Sequence, residues 1–113
     1  MCVIAIYESN YPKAEDLVNM ESMNQHLGGI AWIEGGQVHF RKGINAKEIM
    51  NTIREKSIKL PFCIHFRIAS IGVVDKKLNH PFPINSDASL ELEGVADSVL
   101  FHNGTWSEYG DYL

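Results

Sequence analysis

Phe62-Cys63-Ile64-His65-Phe66-Arg67-Ile68-Ala69-Ser70 alternates two kinds of side chain. Phe62, Ile64, Phe66 and Ile68 are large and apolar; Cys63, His65, Arg67 and Ala69 lie between them. A period of two is that of a β-strand with one buried face. The even positions are predicted to face a core, so Arg67 falls on the opposite face with Cys63 and His65. A guanidinium on a strand, its stem beside apolar neighbours, is a planar fork suited to a carboxylate.

On either side of this strand the chain reads as short strands and two helices. Val3–Tyr7 is an apolar run with β-branched residues, predicted to be a short buried strand. Pro12 suits the first turn of a helix over residues 13–23, with Leu17, Met20 and Met23 on one face and Glu15, Asp16 and Glu21 on the other. His26-Leu27-Gly28-Gly29 breaks that helix. Strands at 30–33 and 38–41 flank Gly35-Gly36, a hairpin signal. Asn45 is an N-cap candidate for a helix over residues 46–58, with Ile49, Ile53 and Met50 inward, and Pro61 ends it. After the 62–70 strand come a short continuation at 72–75, a loop at 76–79, an extended proline-stiffened segment at 80–84 and a turn at 85–87. A short strand is expected at 90–93, with a turn at Gly94. A strand at 98–102 runs into Asn103-Gly104, and Thr105 caps a last helix over residues 106–113. Strands outnumber helices without alternating one by one with them. The expected class is α+β, with mostly antiparallel sheets covered by helices.

The 113 residues suffice for one domain, 1–113, with a modest core. A net charge of −4 offers no basic surplus for a phosphate backbone, which argues against nucleic acid. No apolar run approaches the roughly 20 residues that span a bilayer, and none reads as a signal peptide. Two cysteines, Cys2 and Cys63, make no disulfide framework and fit a reducing, cytoplasmic setting.

Several residues carry chemistry. Cys2 precedes the first strand, and removal of Met1 would leave it as an N-terminal residue with its own base. The thiolate attacks, and the α-amine, whose reference pKa is near 8, takes and returns the proton. Asn103-Gly104 offers a side-chain amide and a backbone N–H, the two donors of an oxyanion hole. His80-Pro81 and Gly28-Gly29 mark rigid or close-approach loops that would wall a pocket. Each feature also has a structural reading: Cys2 as a small buried residue, Arg67 as an ion-pair arginine, Asn103-Gly104 as a tight turn. Five histidines (His26, His39, His65, His80, His102) invite a metal, but no pair has helical H-x-x-x-H spacing, and none is expected. Cys63, among apolar residues, is expected to be inert.

Taken in order, these features resemble the class II glutamine amidotransferases of the N-terminal-nucleophile hydrolase group. Met1-Cys2-Val3-Ile4-Ala5-Ile6 is similar to their Met-Cys-Gly opening and strand. Gly28-Gly29-Ile30-Ala31-Trp32 is similar to their Gly-rich segment. His65-Phe66-Arg67-Ile68-Ala69-Ser70-Ile71-Gly72 resembles their His-Thr-Arg-Trp-Ala-Thr-x-Gly stretch, Asn79-His80-Pro81 their Asn-x-His-Pro, and His102-Asn103-Gly104 their His-Asn-Gly. The resemblance implies a partial or compact αββα sandwich, lacking the C-terminal part of the longer family domain. It implies Cys2 as nucleophile, Asn103 and Gly104 as oxyanion hole, and Arg67, His80 and Ser70 as substrate-binding residues, with no cofactor. The implied reaction is hydrolysis of the glutamine side-chain amide through a thioester, the ammonia passing to a separate synthase. Val3 stands where the family has glycine, Ile68 and Ser70 where it has tryptophan and threonine, and the family's distal acid has only Asp111 as a counterpart. These departures support a second expectation, a catalytically silent relative that binds another protein, of the short kind a virus or mobile element would encode. A third is an N-terminal-cysteine hydrolase acting on another amide.

Overall fold

The computed structural model describes residues 2–68, 75–84 and 90–102. The elements are β1 (Val3–Tyr7), α1 (Ala14–Met23), β2 (Gly28–Glu34), β3 (Gln37–Ile44), α2 (Ala46–Glu55), β4 (Phe62–Phe66), a short 3-10 helix (Lys76–Leu78), β5 (Phe82–Pro83), β6 (Glu93–Ala96) and β7 (Val99–Leu100). Five strands form one sheet in the order β1-β4-β2-β3-β6, and β5 pairs with β7 in a second, small sheet. Every pairing among the described residues is antiparallel. The class is α+β.

Local chemistry explains most element ends. Gly35 and Gly36 have φ of +60° and +77° and close the β2–β3 hairpin as a two-residue turn, which the left-handed region requires of both. α2 opens with a capping box: the Glu48 N–H donates to the Asn45 side chain, and the Asn45 N–H donates to the Glu48 carboxylate. It closes in a Schellman motif. Ser57 takes φ of +49°, the Ser57 N–H donates to the Arg54 carbonyl, and the Ile58 N–H donates to the Ile53 carbonyl. The helix therefore stops at Glu55, short of 58, while Ile58 still folds back into the core.

The two faces of the main sheet differ. On the first, Ile30, Trp32, Phe62, Ile64 and Phe66 pack against Leu17 of α1 and Ile49 and Ile53 of α2, with Val3 and Tyr7 beside them. Phe62, Ile64 and Phe66 are the even residues of the alternating stretch. The second face carries the odd residues of β4 and lies against β5 and its flanks.

Several expectations are corrected. Gly28-Gly29 does not precede the strand but belongs to it. β3 runs on to Ile44 through a bulge at Gly43 (φ +73°), which shifts the register between Gly28 and Gly29. Gly94 is a strand residue opposite Phe40, whose ring stands 3.2 Å from where a Cβ would sit; β6 is accordingly later than 90–93. Met23 is 75% exposed, because the helix rotates it away from the Leu17 stripe. β1 is an edge strand, only part buried. The expected continuation at 72–75, Asp75 apart, the turn at 85–87 and the helix at 106–113 lie outside the described residues. No helix among those described is long and apolar enough to cross a membrane.

Candidate functional site

Register sets out the second face in rows. Ile4 faces His65, His65 faces Gly29, and Gly29 faces Lys42, so one row crosses β1, β4, β2 and β3. Two residues along, Ile6, Cys63, Ala31, Phe40 and Gly94 form a second row. The pairing also extends past the end of β4. The Arg67 N–H donates to the Leu27 carbonyl at 2.8 Å, and the His26 N–H donates to the Arg67 carbonyl at 2.8 Å. One step beyond Val3 opposite Phe66, the β1–β4 register sets Cys2 opposite Arg67, on the His65 face. The Cys2 thiol donates a weak hydrogen bond to the neighbouring Ile68 carbonyl at 3.8 Å.

In the first row Gly29 is a notch. A Cβ there would meet the His80 carbonyl and stand 2.9 Å from the Lys42 Cβ. The missing side chain lets the His80 segment settle onto the sheet between His65 and Lys42. The His80 ring stacks on the His65 ring at 4.2 Å and 15°. The His102 backbone N–H donates to His80 Nδ1 at 2.8 Å, so a neutral His80 carries its proton on Nε2. Phe82 lies 4.9 Å from the His80 ring and 4.3 Å from Lys42 Nζ, and Phe101 lies 6.1 Å from His65. Asn79, fully buried, fixes the start of this segment by donating to the His26 and Leu27 carbonyls at 2.8 and 3.2 Å.

Burial sets the protonation here. It pushes His65 down to about 4; the Arg67 and His102 charges push the same way, and the His102 backbone pulls back. His80 is pushed down to about 3 by burial, then by His65, His102, Lys42 and Arg67. Burial pushes Lys42 down to about 8. Both histidines are neutral at physiological pH, while Lys42 remains largely charged. The second row is apolar. Burial pushes the Cys63 thiol up to about 11, which makes it a poor nucleophile at neutral pH. Ile6, Ala31, Ile33, Val38, Val99 and Phe101 are among the residues that line a groove of about 240 Å³ over that row.

Of the residues singled out from sequence, Cys2, Arg67 and His80 converge on the polar half of this face. Arg67 is 9% exposed, and its charge bears on both His65 and His80. Ser70, Asn103, Gly104 and Asp111 lie outside the described residues; the described chain reaches His102, hydrogen-bonded to His80. Lys42 was given no role by sequence reasoning, which ended β3 at Arg41. Continuing the two-residue alternation from Phe40 would have put it on this face. Among the described residues no three His, Cys, Asp or Glu side chains are grouped to hold a metal ion. No protein-family model, curated protein or solved structure matches the chain.

Proposed function

We propose that this chain is a cytoplasmic glutamine amidotransferase domain that hydrolyses the glutamine side-chain amide and hands the ammonia to a separate synthase. The observation that carries the reading is the β1–β4 register, which puts Cys2 across from a buried Arg67 on one sheet face. Those two residues come from separate motifs of the resemblance to the class II family, and the register carried one step past Val3–Phe66 sets them on one face. In this reading Cys2 is the first residue of the mature chain, Met1 having been removed. Arg67 takes the α-carboxylate of glutamine in its fork. The Cys2 sulfur attacks the amide carbon, and its α-amine receives the thiol proton and delivers it to the leaving nitrogen. The C–N bond breaks, ammonia departs and a thioester remains. Water then adds, the C–S bond breaks, and glutamate leaves. The Asn103 side chain and the Gly104 N–H stabilise the oxyanion, and His80 and Ser70 line the substrate pocket.

Two measurements test this reading. Intact mass should give a chain lacking Met1. A glutamine-analogue electrophile should then label Cys2 and leave Cys63 untouched, with labelling abolished in Cys2→Ala and at least about tenfold slower in Arg67→Ala. Asn103→Ala should lower turnover by about 10²–10³. Retention of Met1 on the soluble protein, or adduct on Cys63 alone, would overturn the reading.

The apolar groove favours a second reading, a catalytically silent fold that binds another protein. Ile6 and Ile33 are 67% and 60% exposed at its mouth. That reading expects Cys2→Ala and Arg67→Ala to leave partner capture intact, and Ile33→Asp to abolish it.

A further inference from the structure

Lys42 is a buried cation with no apparent task. It is 1% exposed, and its Nζ has no hydrogen-bond acceptor among the described residues. His65, in the same row, is fully buried, and the His102 backbone is the acceptor that faces its ring. The charged or titratable groups that bear on His80 are His65, His102, Lys42 and Arg67, all of them basic. No carboxylate among the described residues joins them. Every described Asp and Glu is exposed except the half-buried Glu21, whose carboxylate accepts from the Ala46 N–H on the helical side of the sheet.

A buried ammonium is costly unless an acceptor or a negative charge compensates it. The Phe82 ring, 4.3 Å away, supplies a cation–π contact and no acceptor atom. The groups present are an ammonium, an imidazole N–H on His80 Nε2, and the neutral ring of His65, whose N–H faces the His102 backbone. Donors and positive charge on one sheet face, with no carboxylate among the described residues beside them, suit a small oxyanion. The cover is a single short strand. The strand over the notch pairs with β7 at Phe82 opposite Leu100 and Pro83 opposite Val99, and the Ile84 N–H adds a bond to the Ser98 carbonyl at 2.9 Å. A pairing that short opens locally at little cost.

We propose that Lys42, with the ring N–H of His80, binds a small oxyanion, the carboxylate or phosphate group of a ligand, between the sheet and the 80–84 segment beside the Gly29 notch that the His80 carbonyl fills. The site needs neither Cys2 nor Arg67 and does not rest on the amidotransferase reading.

The test is NMR of the whole chain with selectively labelled lysine and histidine, titrated at neutral pH with inorganic phosphate, with acetate, and with chloride at matched ionic strength. Saturable shifts at Lys42, His65 and His80 are expected with phosphate, acetate or both, and not with chloride; the more effective anion identifies the ligand group. On saturation the Lys42 titration should move upward from about 8. Affinity should fall about tenfold per pH unit once Lys42 deprotonates. Lys42→Met should bind at least about tenfold more weakly. Shifts that stay linear in salt and equal with chloride would overturn the proposal, as would saturable shifts confined to the other lysines and histidines. Should Lys42→Met fail to fold, the titration of the wild-type chain decides by itself.

Discussion

At the scale of single residues, the histidine pair ties the second face to pH. His65 and His80 are stacked and held down to about 4 and about 3 by burial. In the unfolded chain each takes up a proton near 6.5. Between those values the unfolded state binds more protons than the folded one, so stability falls as pH falls. It is fully present above about pH 6.5 and is lost as pH drops through the folded values. The slope is up to about 1.4 kcal/mol per pH unit for each histidine. Urea midpoints measured across this range check it; a midpoint unchanged from neutral pH down to about pH 4 would contradict the burial. The role of Gly29 is likewise a matter of one atom. Its pairing with Gly28 reads in sequence as a loop, because the reason for the missing side chain is His80, 51 positions later in the chain.

At the scale of elements, α2 carries its boundaries in its own residues. Asn45→Ala removes one arm of the capping box and should cost about 1 kcal/mol in chemical denaturation. Ser57→Gly should have the opposite sign. Its φ of +49° is strained for a side-chain residue, and glycine should raise stability by up to about 1 kcal/mol. An unchanged midpoint in Asn45→Ala would mean that the cap contributes nothing to the fold. The cap and the Gly35-Gly36 turn were legible because each is a local hydrogen-bond or φ requirement. β4 was legible through its period, since alternation survives wherever one face is buried. β6 was not, because Gly94 is a turn residue by local preference and a strand residue only because the Phe40 ring occupies the space beside it.

At the scale of the whole molecule, one sheet separates two environments. Ile64, fully buried at the centre of β4, faces the layer that holds Leu17 and Ile49. Ile64→Ala should cost about 2–5 kcal/mol. Ile33→Ala, at the exposed mouth of the groove, should change stability by less than about 0.5 kcal/mol. Comparable losses in the two variants would mean that the second face is as well packed as the first.

Periodicity and local chemistry by themselves determined the α+β class, the hairpin, the α2 cap, the core face of β4 and the placing of Arg67 opposite that core. These follow from the alternation of side chains and from hydrogen bonds within a few residues. Only the tertiary structure decided that Cys2 and Arg67 share the His65 face, that Gly29 leaves room for His80, and that Lys42 is buried beside two neutral histidines. Those juxtapositions join residues tens of positions apart, through strand register and through the packing of the 80–84 segment on the sheet. Register depends on which strand pairs with which, and no residue records its cross-sheet partner.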